Sequence, residues 1–166
     1  MKKILIAAVS KNGVIGNAGA IPWHSKEDMR HFKETTIGNA VIMGRKSFES
    51  LKKPLKDRLN VVITRNGGIL PQDENVIVVN DINAAFAECE KRKYEKAFVI
   101  GGGQIYSQTI DLADEMIISH MNVTIEGDTF FPEIDSSGWR KDSETNMGEF
   151  VVVYYKRINS VSDINA

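Results

Sequence analysis

The chain has 166 residues, 21 Lys+Arg against 22 Asp+Glu, a formal net charge of −1 and 42% apolar residues. That length suits one domain, and that apolar content offsets the entropy of ordering a chain, which excludes general disorder. A near-zero net charge argues against a general binder of nucleic acid or anionic membrane. The single cysteine, Cys89, excludes an internal disulfide and a multi-cysteine zinc site, and fits a reducing compartment.

Met1-Lys2-Lys3 followed by an apolar run imitates a secretory signal. The run spans only 4–9 before Ser10-Lys11-Asn12-Gly13, short of the roughly 7–15 apolar residues such a signal needs, so it predicts a buried first strand. A helix follows over 26–36, with Ser25 as N-cap and Asp28 three residues on, close to a capping box. Then come a strand at 40–43, a helix at 45–51, strands at 60–64 and 76–79, and a helix at 82–91 capped by Asp81. A strand at 97–100, a short helix at 104–110 and a strand at 116–119 complete the alternation. The strands are continuous apolar runs, as expected when both sheet faces are covered.

Alternating strands and helices predict an α/β fold: a single-domain, mostly parallel twisted sheet with helices on both faces. Segments 139–145 and 149–158, joined by Asn146-Met147-Gly148, predict a C-terminal antiparallel hairpin. The domain is expected over 1–158, with a frayed polar tail at 159–166. No segment reaches the roughly 18–20 apolar residues that span a bilayer. Asn122-Val123-Thr124 matches a glycosylation acceptor, but without a secretory signal it reads as chance.

Gly101-Gly102-Gly103-Gln104-Ile105-Tyr106 follows a strand and opens a helix. It is not the Rossmann fingerprint, which needs Gly or Ala where Tyr106 stands and belongs on the first strand-helix turn. Its physical content survives, because three glycines admit a ligand close to the backbone and a helix start favours phosphate. Gly44-Arg45-Lys46-Ser47 fails as a P-loop, since Arg45 precedes the lysine and Asn39 stands where the first glycine belongs. Two cations at a helix start oppose the dipole; a bound anion explains them, as does a merely solvated helix start. Arg65 would add a third charge if the strands at 40–43 and 60–64 are neighbours. His24, His31 and His120 show no metal-ligand spacing, no Gly-x-Ser-x-Gly elbow occurs, and no metal site is expected.

Ile21-Pro22-Trp23 leads into the first helix, where Asp28 and Phe32 share a stripe with Met29 adjoining. Asp28 either serves the helix dipole or is a buried carboxylate. In the second case desolvation raises its pKa, so that it can hold or relay a proton.

Taken together, Val14-Ile15-Gly16, Ala20-Ile21-Pro22-Trp23, Asp28, Phe32-Lys33, Val41-Ile42-Met43-Gly44-Arg45, Phe48-Glu49-Ser50, Pro54-Leu55 and Arg58 form a specific series. Val99-Ile100-Gly101-Gly102-Gly103, Ile105-Tyr106 and Glu126-Gly127-Asp128-Thr129-Phe130-Phe131-Pro132 continue it. In this order they resemble dihydrofolate reductase over nearly the whole chain. The resemblance is to chromosomal bacterial enzymes and also to trimethoprim-insensitive forms carried on mobile elements.

The resemblance implies NADPH-dependent reduction of 7,8-dihydrofolate to tetrahydrofolate, with hydride reaching pterin C6 and a proton reaching N5. Asp28 then matches the single acid of the pterin pocket, gripping the amidine edge by paired hydrogen bonds. It raises the fraction of N5-protonated substrate while water delivers the proton, and Trp23 and Ser119 join it in the catalytic group. Ile6, Met29, Phe32, Leu51, Leu55 and Ile100 match the apolar walls, and Ser119 the hydroxyl behind Asp28. Arg58 matches the clamp on the glutamate α-carboxylate, with Lys33 and Lys53 flanking the tail.

On the cofactor side, Ala8, Val14, Ile15, Gly16, Asn17 and Ala20 match the nicotinamide end. Gly44, Arg45, Lys46, Ser47, Thr64, Arg65 and Asn66 match the 2′-phosphate region. Gly101, Gly102, Gly103 and Gln104, with Ile105, Tyr106 and Thr129, match the pyrophosphate turn, whose Gly101–Gly102 peptide is expected to be cis. Residues 10–23 correspond to a mobile lid. Dihydrofolate and antifolate inhibitors are the implied partners of a cytoplasmic monomer that takes no nucleic acid and no membrane. Two departures stand out. Ser25-Lys26 replaces a common Leu-Pro, which bears on lid stiffness and antifolate fit, and Lys52 and Lys56 replace a common Gly and Pro on the rim above the substrate tail. The alternatives are a pyrimidine reductase of riboflavin biosynthesis, which shares NADPH but need not keep Asp28 and Arg58, and a non-catalytic nucleotide-binding module.

Overall fold

A computed structural model describes residues 1–66 and 72–159. Ten strands and four helices are found among them: β1 (Lys2–Val9), β2 (Val14–Gly16), α1 (Lys26–Thr36), β3 (Ala40–Gly44), α2 (Arg45–Ser50), β4 (Leu59–Ile63), β5 (Val76–Val79) and α3 (Ile82–Lys91), then β6 (Lys96–Gly101), α4 (Gly103–Thr109), β7 (Glu115–Met121), β8 (Thr129–Phe130), β9 (Trp139–Asn146) and β10 (Phe150–Arg157). Eight strands form one sheet in the order β5-β4-β3-β6-β1-β7-β10-β9. The first six run parallel; β10 is antiparallel to both β7 and β9.

The unbroken apolar strands are explained by two covered faces. Leu5, Ala40, Ile42 and Val99 pack with Ile82, Phe86 and Cys89 of α3 and Ile105 of α4. Their strand neighbours Ile4, Ile6, Val41, Met43 and Phe98 point the other way, against Phe48 of α2 and Phe32 of α1. Cys89 lies in the first layer, where burial pushes its thiol up to about 11, so it stays protonated and inert at neutral pH.

Because six strands are parallel, their C-terminal ends share one edge. Register pairs Gly44 with Ile63, Met43 with Gly101 and Ala8 with Ser119. In such sheets ligands bind outside that edge.

The structure differs from the sequence expectation in small elements. β2 and β8 pair antiparallel outside the main sheet; at three and two residues they are too short to carry periodicity. Their meeting depends on Gly127, where an added Cβ would lie 2.3 Å from Val14 Cγ1 and 2.7 Å from the Gly16 carbonyl. α2 stops at Ser50 because Leu51 turns extended. The expected tail, from residue 160 onward, lies outside the described residues.

One buried amide organises the loop before β4. The Asn60 side chain donates to the Leu55 carbonyl (3.0 Å) and the Arg58 carbonyl (3.0 Å) and accepts from the Leu55 N–H (2.9 Å). Its residue is 0% exposed, so Asn60→Ala strands buried backbone groups. Loss of such partners costs about 1–3 kcal/mol each. Asn60→Ala is expected to lower unfolding free energy by about 2–4 kcal/mol in urea titration; a loss below about 0.5 kcal/mol would show the stitch to be dispensable.

Candidate functional site

Asp28 stands in the first turn of α1. The Ser25 hydroxyl caps that turn by accepting from the Asp28 N–H at 3.2 Å and itself donates to Glu149 Oε2 at 2.7 Å. The capping box expected from the sequence is not closed by Asp28, whose carboxyl acts elsewhere. Burial raises it above the usual carboxylate range, while the Ser119 hydroxyl and the charge of His31 pull the other way. Ser119 is buried at the C-terminal part of β7.

Apolar side chains line the sheet face that α1 covers. Ile6 belongs to the core layer on that face, and Ala8, Trp23, Phe32, Leu51, Leu55 and Ile100 pack onto the same layer. Met29 is 60% exposed. On a helix it lies about 100° round from Asp28, whereas Phe32 lies about 40° away, so Phe32 alone shares the acid's inward stripe. Lys33 and Lys53 are exposed.

Arg58 closes the far end of this face. It is buried, its Nε donates to the Lys56 carbonyl (2.9 Å) and its Nη1 to Thr36 Oγ1 (3.1 Å), and its guanidinium lies 5.9 Å from the Phe32 ring centre. Burial lowers its pKa and the Asp57 carboxylate opposes that; an arginine keeps its charge under such conditions. Burial likewise lowers the pKa of His31, against Asp28 and Glu34, and His31 Nε2 is buried with no hydrogen-bond partner.

A glycine cradle lies at the adjoining strand ends. A Cβ on Gly44 would come within 3.2 Å of Ile105 Cγ1, on Gly102 within 3.4 Å of Ser47 Oγ, and on Gly103 within 2.9 Å of Thr129 Cγ2. These glycines therefore let α2, α4 and the Thr129 segment converge, with Ile15 beside Gly103. Gly101 has φ +115°, open to glycine, and a Cβ there would sit 3.0 Å from the Tyr106 ring. The Gly101–Gly102 peptide is cis.

Ile105 and Tyr106 are buried, and the Tyr106 hydroxyl donates to the Ile6 carbonyl at 2.7 Å, so both side chains support the cradle from behind. α2 and α4 begin at glycines with no side-chain cap, unlike α1 and α3, which Ser25 and Asp81 cap. Their first N–H groups thus retain donor capacity. β3 and β4 are adjacent, and the register that pairs Gly44 with Ile63 brings Arg45 level with Thr64, one residue before Arg65. Arg45 Nε also pairs with Glu49 at 2.7 Å. Thr64 is buried, and Lys46, Arg65, Asn66 and Gln104 are exposed.

Residues 10–23 are tied to the segment that carries Asp128. Asp128 Oδ2 accepts from the Ala18 N–H (3.0 Å), the Asp128 N–H donates to the Gly16 carbonyl (3.1 Å), and Asn17 and Ala20 exchange backbone hydrogen bonds (2.8 and 3.1 Å). The Ala18 N–H first, then the Thr129 hydroxyl, hold the Asp128 carboxyl below its usual range. Four contributors escaped residue-by-residue reading: Thr36, Asn60, Gly127 and Asp128. Only the last two carried a signal, lying in the quoted segment 126–132. Among the described residues no group of three His, Cys, Asp or Glu side chains could hold a metal, and no helix is long and apolar enough to cross a membrane.

A half-buried acid on α1 and a glycine cradle at the strand ends accord with a reductase of the folate class. The family model for dihydrofolate reductase matches residues 3–157, and the chain belongs to that family. It is 42% identical over 140 residues to dihydrofolate reductase type 3 of Salmonella typhimurium, covering 82% of each chain. It is 41% identical over 146 residues to the dihydrofolate reductase of Neisseria gonorrhoeae, covering 87% of this chain and 88% of that one. Among solved structures it is similar to dihydrofolate reductase from Enterococcus faecalis complexed with NADP(H) and RAB-propyl, with a TM-score of 0.82, 34% identity and coverage of 95% and 97%.

The Asp128 tether has a direct readout. Asp128→Ala removes the acceptor for the Ala18 N–H, and hydrogen exchange at Ala18 is expected to accelerate about tenfold or more. In the parent chain acid is expected to lower the protection of Ala18 relative to its intrinsic exchange rate at the same pH. A carboxyl with a lowered folded pKa stabilises above the unfolded value of 3.8 and loses that contribution as pH falls through the folded value. Equal exchange rates in the two chains at neutral pH would show that the tether does not hold the segment.

Proposed function

We propose that the chain reduces 7,8-dihydrofolate to 5,6,7,8-tetrahydrofolate with NADPH, and that Asp28 orients the pterin and favours its protonation at N5. The observation that carries this reading is a carboxyl raised by burial, with Ser119 buried behind it and the glycine cradle on the same sheet edge. A carboxylate acts on a flat amidine edge through two parallel hydrogen bonds, which fixes orientation as well as energy. In an apolar cleft that interaction is stronger than in water. Trp23, Phe32, Leu51, Leu55 and Ile100 exclude water around the ring, and Arg58 takes the glutamate α-carboxylate.

The cradle fits a dinucleotide. Side chains at Gly44, Gly101, Gly102 or Gly103 would crowd it, and two uncapped helix starts supply N–H donors for a pyrophosphate. Arg45, Lys46, Thr64 and Arg65 would hold the 2′-phosphate, and Ala8, Val14, Ile15, Gly16, Asn17 and Ala20 the nicotinamide end. When bound, NADPH supplies the hydride that pterin C6 accepts. The chain's residues supply proximity, a dry cleft and the charge of Asp28. Antifolate inhibitors would compete for the same carboxylate. The same reading makes the chain a cytoplasmic monomer with no nucleic-acid partner, in keeping with a net charge of −1. Neither alternative has a specific use for Asp28 and Arg58 at opposite ends of one apolar face.

NADPH oxidation at 340 nm with dihydrofolate tests the activity; folded protein without turnover would reject it. Asp28→Asn is expected to lower kcat by about 100-fold or more at pH 7 and above, where substrate protonation limits the rate. The same variant is expected to unfold at a higher temperature at pH 7. A carboxyl whose folded pKa is raised destabilises the fold once pH passes from 3.8 through that value, and the amide escapes this cost. Parental turnover across the pH range would remove Asp28 from the mechanism. Arg65→Ala is expected to cut the preference for NADPH over NADH about tenfold; an unchanged preference would take Arg65 out of the phosphate site.

A further inference from the structure

Arg58 does not hold its own orientation. Its guanidinium offers five N–H donors. The Nε–H goes to the Lys56 carbonyl, and one Nη1–H goes to the hydroxyl oxygen of Thr36 at 3.1 Å. Thr36 is the last residue of α1 and is 0% exposed. Its hydroxyl proton is committed to the Phe32 carbonyl at 2.8 Å. With the proton fixed there, Oγ1 can meet Arg58 only as an acceptor. It also stands at the negative end of an eleven-residue helix, which favours a cation.

The backbone reinforces this placement. The turn leaving α1 is bound on both sides of Arg58, by the Gly38 N–H to the Asp57 carbonyl (2.8 Å) and by the Leu59 N–H to the Asn39 carbonyl (3.2 Å). Among the described residues no hydrogen bond uses Arg58 Nη2, and that atom is not enclosed. The two held donors therefore fix the guanidinium plane, and the remaining edge is free for a bidentate partner.

We propose that Thr36 is a positioning residue for substrate: its buried hydroxyl aims the free edge of Arg58, and through it the enzyme distinguishes folates that carry a glutamyl carboxylate from bare pterins. This rests on the reading of Arg58 as the carboxylate clamp. A clamp that can rotate keeps its charge but loses the paired geometry, so the effect falls on KM for the carboxylate-bearing substrate. Chemistry at the pterin, set at the other end of the cleft by Asp28, has no reason to change.

The experiment compares 7,8-dihydrofolate with 6-methyl-7,8-dihydropterin, which lacks the benzoylglutamate, and reads the ratio of their kcat/KM values. Thr36→Val keeps the shape and removes the acceptor. It is expected to lower the ratio about tenfold, through KM for dihydrofolate, as for loss of one hydrogen bond to a charged group. Thr36→Ser, which keeps the hydroxyl, is expected to restore the ratio to within about twofold of the parent. Thr36→Ala removes the same acceptor with less demand on packing and gives the same result if the valine variant does not fold. An equal loss on both substrates overturns the proposal, because it marks a purely structural role. If Arg58→Gln collapses the ratio and Thr36→Val leaves it unchanged, the proposal falls and the clamp stands. If Arg58→Gln also leaves the ratio unchanged, the clamp reading fails and the proposal fails with it.

Discussion

A carboxyl group is kept partly buried on the apolar face that α1 covers, and most of the local architecture serves that one unfavourable burial. Water would solvate Asp28 better than the protein around it does, so desolvation raises its pKa. The site limits the cost without removing it. One hydroxyl, from Ser119, and one half-buried histidine, His31, act on the acid; no lysine or arginine does. A full ion pair would hold the carboxylate too firmly in its charged form and occupy the oxygens a ligand must meet. The incomplete satisfaction is what leaves the group available.

The neighbouring region solves a different problem by omission. Two helices of this fold carry side-chain caps, Ser25 on α1 and Asp81 on α3, and two carry none. The uncapped pair, α2 and α4, both begin at the C-terminal edge of the parallel sheet, next to each other across β3 and β6. A serine or aspartate at Gly44 or Gly102 would satisfy those N–H groups locally. It would also add bulk where Ile105 and Ser47 already lie at 3.2 and 3.4 Å from an ideal Cβ. Missing side chains let the elements converge, and missing caps leave N–H donors that the proposed dinucleotide site would use.

Legibility of this architecture in the sequence followed interaction range. The strands of the main sheet and the four helices were visible because their apolar runs, caps and spacing are local, and the continuous pattern of Ala40 to Met43 correctly implied two covered faces. β2 and β8 were not, because their pairing is written in a void at Gly127 and not in any periodicity. Asp28, the glycine turn and the Arg45–Arg65 neighbourhood were legible as chemistry out of place: an acid on an inward stripe, three glycines in a row, cations at a helix start. Met29 is exposed where Phe32 is half-buried, because adjacency in sequence turns a helix side chain about 100° away. Thr36 and Asn60 were invisible. A threonine at a helix end and an asparagine opening a strand are ordinary, and only their partners, 22 and 5 residues away, give them a role.

Those two residues expose a general division within the site. Groups that meet a ligand must remain partly unsatisfied, and so they cannot fix themselves. On the proposed reading Arg58 keeps donors and Asp28 acceptors for a ligand, and each is held through bonds that point elsewhere. For Arg58 the hold comes from fully buried neutral groups, with Asn60 binding its carbonyl and Thr36 its guanidinium. Neutral partners suit this task better than carboxylates. An Asp or Glu in place of Thr36 would bind the guanidinium more strongly, but would also neutralise the charge on which the proposed carboxylate clamp relies. Rigidity is therefore drawn from hydrogen bonds and charge is left undiminished, which is why the supporting residues are the plain amides and hydroxyls that sequence patterns do not mark.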